Sequence, residues 1–202
     1  MNSKIKDHFK KTDLKLFKAL EKIEDGLEEI LPILPQEYFF RLCRGIISQQ
    51  LSGRVVDTFT ERFIALFPNK KISPKALLKL SEEKLRGIGI SWAKVKYLID
   101  LASKVENKEV VLQDLPNLKN EEVILHLTKV KGIGRWTAEM FLMFSLGRPD
   151  IFSYGDLGLR RGIEKIYKIQ NPEKSIVEKL SQKWAPYRTW ACRVLWGFHD
   201  IK

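Results

Sequence analysis

Leu127-Thr-Lys-Val-Lys-Gly132-Ile-Gly134-Arg-Trp-Thr-Ala-Glu-Met-Phe-Leu-Met-Phe144 is an apolar helical run that stops at two glycines, followed directly by a second apolar run. Glycine takes backbone angles that other residues resist, and it lets a phosphate come close to the main chain. A helix starting after Gly134 presents unpaired N–H groups and the positive end of its dipole. Lys129, Lys131 and Arg135 add positive charge around that point. The arrangement suits a phosphodiester backbone and reads no base sequence. A tight turn between two packed helices also favours glycine, and from Gly-x-Gly alone that is the preferred reading, which the flanking basic residues shift only modestly.

Outward from this segment the periodicity is helical almost throughout. Leu14, Phe17, Leu20 and Ile23 define one face of a first helix, with Asp13 as its cap. Pro32 and Pro35 break the chain. Tyr38, Phe39, Leu42, Ile46 and Ile47 mark a second helix, and Val55, Val56, Phe59, Phe63 and Leu66 a third. Ser73-Pro74 opens a short helix. Ser91 caps one running through Val95, Leu98, Leu101 and Val105, and another starts near Asn120. Further helices follow Asp156, Pro172 and Pro186. No run shows strand alternation, so the class is all-α. Arg86-Gly-Ile-Gly89 echoes Lys131-Gly-Ile-Gly134, but two such triplets do not establish a repeat.

Composition narrows the function. The 202 residues carry 36 Lys+Arg against 25 Asp+Glu, a net charge of +11 that favours a polyanionic partner, most often nucleic acid. Cys43 and Cys192 are too few for a disulfide framework, a zinc site or a four-cysteine iron-sulfur cluster, and read as buried thiols of a reducing compartment. His8, His126 and His199 are scattered and suggest no metal centre. No apolar signal core follows Met1, and no segment approaches the roughly 18 apolar residues of a membrane span. The expectation is a cytoplasmic protein that binds no membrane.

Several ordered blocks together are more specific than any one motif. Val130-Lys-Gly-Ile-Gly-Arg-Trp-Thr-Ala138 resembles the hairpin of the helix-hairpin-helix (HhH-GPD) DNA glycosylases. The stretch Gly147-Arg-Pro-Asp-Ile-Phe-Ser-Tyr-Gly-Asp156 resembles their Gly/Pro-rich loop, with Asp156 falling 22 residues after Gly134, where the catalytic aspartate belongs. Gly45-Ile-Ile-Ser-Gln-Gln-Leu-Ser52 is similar to their helix end facing the DNA minor groove, and Gly89-Ile-Ser-Trp-Ala-Lys-Val-Lys-Tyr-Leu98 to a family inter-helix turn. Trp184-Ala-Pro-Tyr-Arg-Thr-Trp-Ala191, leading to Trp196, resembles the C-terminal helix of the 3-methyladenine DNA glycosylase II group. The resemblance covers about residues 36 to 198.

The resemblance implies a two-lobed helical fold with the DNA and base cleft between the lobes. One lobe covers about residues 45–147 and contains the hairpin at 127–147; the other combines 1–44 with 148–202. It implies a monofunctional hydrolase of base excision repair that frees 3-methyladenine, and by extension 7-methylguanine, from damaged double-stranded DNA. Such an enzyme flips the nucleotide out of the duplex. Gln50 would fill the gap, with Leu51 or Gln49 close by. Trp136 and Trp196 fall on pocket tryptophans, whose indole faces attract a cationic alkylated base. Packing in the core is the reading for Trp92 and Trp190. Met140 and Leu157 stand where relatives of broad range often carry tyrosine. Asp156 would stabilise the oxocarbenium-like sugar and orient water; on its own it also reads as a helix N-cap. Asp150 reads as a loop residue or a cap. Trp136 occupies the place of the nucleophilic lysine of the lyase branch, so no Schiff base is expected. The protein would act as a monomer without a required cofactor. A sodium or potassium ion could sit on the main-chain oxygens of Thr128, Val130 and Ile133. Two alternatives stay open: a non-catalytic module that recognises DNA structure, and a glycosylase for oxidised or deaminated bases.

Overall fold

The computed structural model describes residues 3–23, 27–51 and 53–200. Ser52, the last residue of the Gly45–Ser52 block, lies outside them. Among the described residues there are twelve α-helices, three short 3-10 turns and no strand, as the periodicity predicts. The chain divides into two compact units, Ile33–Leu146 and Met1–Pro32 with Gly147–Lys202.

The continuous unit begins at Ile33, earlier than the boundary near residue 45 that the resemblance implies. The reason is α3 (Tyr38–Ser48), which buries Tyr38, Phe39, Leu42, Cys43, Ile46 and Ile47 within this unit. It packs against α4 (Gly53–Ala65), α7 (Trp92–Glu106) and α9 (Arg135–Phe144). Tyr38 meets Phe141 of α9 edge to face, ring centroids 5.3 Å apart. Ile33 N–H donates to Ser145 O at 3.0 Å and ties the first turn of the unit to its last. Serine hydroxyls start three helices in succession. Ser73 caps α5 (Pro74–Leu77), Ser81 caps α6 (Glu82–Gly87) and Ser91 caps α7, each accepting the N–H three residues on. Trp92 does not pack in the core: as the first residue of α7 it is 47% exposed. α8 (Asn120–Leu127) leads into the hairpin and α9.

The discontinuous unit holds α1 (Ser3–Thr12), α2 (Leu14–Glu21), α10 (Leu157–Tyr167), α11 (Lys174–Trp184) and α12 (Arg188–Asp200). α1 is absent from the sequence reading because its apolar stripe is two residues, Ile5 and Phe9, both buried. α2 is capped by Asp13 as expected, but Leu14 points outward and Leu16, Ala19 and Leu20 form the inner face. Asp13 does more than cap. Its buried carboxylate also accepts Tyr167 O–H at 2.5 Å and Trp184 Nε1–H at 3.0 Å, joining α2 to α10 and α11. Burial and the adjacent Asp13 raise the Tyr167 pKa well above the usual phenol value. Cys43 and Cys192 are both buried, and burial pushes the Cys43 thiol up. Trp190 is buried as expected.

Candidate functional site

The two hairpin glycines meet different constraints. Gly132 sits at φ +81°, and the ring of Tyr97 occupies the space where a Cβ would stand. Gly134 has φ −88° and ψ 175° and precedes α9 without a side-chain cap. Nothing lies within 4 Å of its missing Cβ. The first N–H groups of α9 therefore start beside an open patch of main chain, which is the geometry an anion uses at a helix start. Lys129 and Lys131 are exposed here. Arg135, which the sequence places among the positive charges here, is held by carboxylates. It donates to both oxygens of Glu121, at 3.0 and 2.5 Å, and to the buried Glu139 at 2.9 Å. The Glu121 hydrogen bond, the largest cause, raises the Arg135 pKa, and the same bond lowers that of Glu121.

The turn after α3 is built to hold an unusual conformation. Gln50 is exposed at φ 59°, a left-handed backbone rare outside glycine. Ser48 Oγ–H donates to Gly45 O at 2.9 Å, and Leu51 N–H closes the turn onto Ser48 O at 3.1 Å. Leu51 is half-buried beside it. Gln49 faces away from the tip: its Nε2–H donates to Gly132 O at 2.7 Å and links the turn to the hairpin.

α7 supports both elements, a role the sequence did not reveal. Lys94, Tyr97 and Asp100 recur at three-residue spacing along one side of it. Lys94 Nζ–H donates to Ile47 O at 2.8 Å and Gln49 O at 2.6 Å, capping the carbonyl end of α3. Burial lowers the pKa of this ammonium. Tyr97 packs on Gly132. Asp100 accepts Lys131 N–H at 2.8 Å and pairs with Lys104 at 2.9 Å. Burial works to raise the Asp100 carboxyl, but the Lys131 N–H and the Lys104 ammonium outweigh it and hold the pKa below the usual range.

Within the same unit a pocket of about 260 Å³ opens between α3 and α9. Trp136 and Met140 line it together with Arg41, Arg44, Gly45 and Ser48. Trp136, on the first turn of α9, is 46% exposed, so its indole is available as a wall rather than consumed as core.

Asp156, Leu157 and Trp196 come together in the other unit. Asp156 is the N-cap of α10, and its Oδ1 accepts Leu159 N–H at 2.8 Å. The same oxygen accepts Trp196 Nε1–H at 3.0 Å. Trp196 is thus a partner of the aspartate as well as a candidate pocket wall. Gly158 makes this possible, since a Cβ there would lie 3.0 Å from Trp196 Cδ1 and 3.1 Å from Asp156 Oδ1. Leu157, next to the cap, is 67% exposed. Asp150 is neither a plain loop residue nor a side-chain cap alone. Its carboxylate accepts Arg188 Nε–H at 2.6 Å, Arg188 Nη2–H at 2.8 Å and the Arg188 main-chain N–H at 3.3 Å, clamping the start of α12.

Known proteins are similar to this chain in sequence and fold. The family model described as "HhH-GPD superfamily base excision DNA repair protein" matches residues 43–187. DNA-3-methyladenine glycosylase 1 of Schizosaccharomyces pombe is 34% identical over 164 residues, 80% of this chain and 72% of that protein. The crystal structure of a DNA-3-methyladenine glycosidase from Bacillus halodurans superposes with a TM-score of 0.82 at 33% identity, covering 99% of this chain and 90% of the other. A Schizosaccharomyces pombe 3-methyladenine DNA glycosylase solved in complex with abasic DNA superposes at 0.79 and 31% identity, covering 96% and 95%.

Proposed function

Because the chain belongs to the HhH-GPD superfamily of base excision DNA repair proteins, we propose that it is a monofunctional DNA glycosylase acting on alkylated purines in double-stranded DNA. The names of its relatives point to 3-methyladenine; 7-methylguanine, another purine that carries a positive charge when alkylated, is the further candidate substrate.

Each step has a residue to perform it. The hairpin binds a phosphate at Gly134 and the start of α9, with Lys129 and Lys131 beside it. Gln50 enters the space left by the flipped nucleotide. Trp136 offers an indole face to the cationic ring of the alkylated base, with Met140 beside it in the same pocket; Leu157 and Trp196, next to Asp156, are the candidate base contacts of the other unit. An alkylated base that carries charge leaves without a general acid. The task left is to stabilise the oxocarbenium-like sugar and orient water, and one carboxylate suffices for it.

The observation that carries the proposal is the anchoring of Asp156. Two N–H donors, from Leu159 and Trp196, meet on one carboxylate oxygen. Such double anchoring fixes the direction of a group that must face a developing charge, and preorganisation of this kind is where much of catalysis originates. The test is base release from methylated duplex DNA with the freed bases identified. Asp156→Asn, which keeps the cap, is expected to slow release by about a hundredfold or more; a rate equal to wild type sinks the assignment. Borohydride should trap no covalent adduct, because Trp136 stands where a lyase would need lysine.

A sodium or potassium ion on the main-chain oxygens of Thr128, Val130 and Ile133 belongs to the same reading. Val130 O accepts Ile133 N–H at 3.1 Å, and the second lone pair of a carbonyl can face an ion. Such an ion would add positive charge to the phosphate site. The enzyme would work as a monomer wherever the DNA of the cell is.

A further inference from the structure

Far from the hairpin in sequence, the discontinuous unit carries a second concentration of positive charge. Lys15, Lys18 and Lys22 follow one another at i, i+3 and i+7 on α2, so they share one face of the helix. With Lys165, Lys168 and Phe198 they line a concavity of about 380 Å³, and among the described residues no acidic one lines it. The ammonium groups turn to aromatic rings. Lys22 Nζ and Lys165 Nζ stand 5.7 and 5.4 Å from the centroid of Phe198, and Lys15 Nζ stands 5.8 Å from that of Tyr167. Lys165 Nζ–H also donates to His199 O at 3.4 Å; lysines gathered around one ring raise the local positive potential, which a bound anion lowers. A lysine-rich surface is usually interleaved with carboxylates; a concave one without them concentrates counter-ions.

We propose that this lysine face on α2 and the end of α10 is a second contact for the phosphate backbone of duplex DNA, separate from the hairpin. Its dimensions fit. Lys15 to Lys22 covers about 10 Å of helix, along which a duplex presents about six phosphate charges. The patch lies at the far end of α10 from Asp156, about 16 Å along the helix axis, a distance a bound duplex covers in about five base pairs. Lysine ammoniums act as point charges and need no fixed geometry, which suits a contact that holds the duplex without reading it. The inference rests on DNA being the substrate, but not on the role of Asp156.

The experiment measures the affinity of the whole protein for a duplex of about 30 base pairs across a salt series. Each phosphate neutralised adds about 0.9 to the slope of log K against log salt. In Lys15→Gln/Lys18→Gln/Lys22→Gln the slope should fall by about 2 to 3, with at least a tenfold loss of affinity at low salt and convergence with wild type at high salt. The control removes three equal but scattered charges, Lys71→Gln/Lys108→Gln/Lys179→Gln, all exposed, and should leave the slope nearly unchanged. Equal losses in both triples would reduce the effect to net charge, and an unchanged slope in the α2 triple would remove the contact; either overturns the proposal. Lys15→Arg/Lys18→Arg/Lys22→Arg keeps the charge and should keep the slope, which guards against an effect of misfolding. Base release by Asp156→Asn is measured separately, so failure of the catalytic assignment leaves this result standing.

Discussion

Gly132 and Gly134 look interchangeable in the sequence, and the structure separates them. Gly132 serves the fold, because its positive φ and the Tyr97 ring exclude any side chain. Gly134 has backbone angles that alanine adopts freely and open space around it, so the fold does not require glycine there and the proposed phosphate contact would account for it. Gly132→Ala is expected to cost about 2–4 kcal/mol of stability, from the strained backbone and the collision with Tyr97. Gly134→Ala should cost under about 1 kcal/mol and yet weaken DNA binding about tenfold, the equivalent of one lost main-chain contact to phosphate. Urea denaturation and a DNA titration on both variants check this; equal stability losses would refute the division. The same limit governs Asp156. Its cap was legible from the residues after it. Its bond to Trp196, 40 residues on, was not, because nothing local ties a tryptophan of α12 to an aspartate of α10. Gly158 could have been a signal: glycine on the first turn of a helix, right after a capping aspartate, marks a place where another group comes close.

At the scale of elements, the helices were readable wherever a cap precedes apolar residues, as at Ser73 and Ser91, and α8 starts at Asn120 as its apolar residues indicate, with Lys119 in the cap position. α1 escaped because two apolar residues in ten make a faint stripe. What no helix pattern conveys is which polar face meets which loop. Lys94, Tyr97 and Asp100 read as an ordinary solvated side of α7, while in the structure they fasten the Gln50 turn and the hairpin to one rigid support. Arg135 misled for the same reason, since Glu121, which engages it, lies on the preceding helix. The support has a measurable pH signature. Asp100 titrates below its unfolded value in the folded protein, so its contribution is complete above about pH 4 and is lost as the pH falls through the folded value. Asp100→Asn can still accept Lys131 N–H but loses the pair with Lys104. Its deficit in urea midpoint should be constant between about pH 5 and 8 and should close below about pH 4. A deficit that persists unchanged to about pH 2 would show that the charge of Asp100 is not what matters.

At the scale of the molecule, one unit packs helices from early in the chain against helices from late in it, and Asp13 is one of the residues that join them. It accepts from Tyr167, 154 residues away, and from Trp184, 171 residues away, while capping its own helix. The cap was evident in the sequence; the distant partners were not, since a buried Tyr and a buried Trp are indistinguishable there from packing residues. All three groups are buried, so removing the acceptor leaves two donors unsatisfied in the core. Asp13→Ala is expected to lose about 3–5 kcal/mol, which for a chain of this length lowers the melting temperature by on the order of 6–15 °C. Asp13→Asn keeps an acceptor and the cap and should fall between the two. The loss should also be local. Hydrogen exchange should speed up in α2, α10 and α11, which that carboxylate ties together, while the amides of α7 and α9, which belong to Ile33–Leu146, keep their protection. Protection lost evenly through both units would contradict this. The distinction bears on function, since Asp156 starts α10 and depends on Trp196 of α12. A variant that loosens this unit should therefore release bases slowly while the hairpin still binds DNA, so that in Asp13→Asn base release falls further than DNA affinity, which loses at most the share of the α2 lysines.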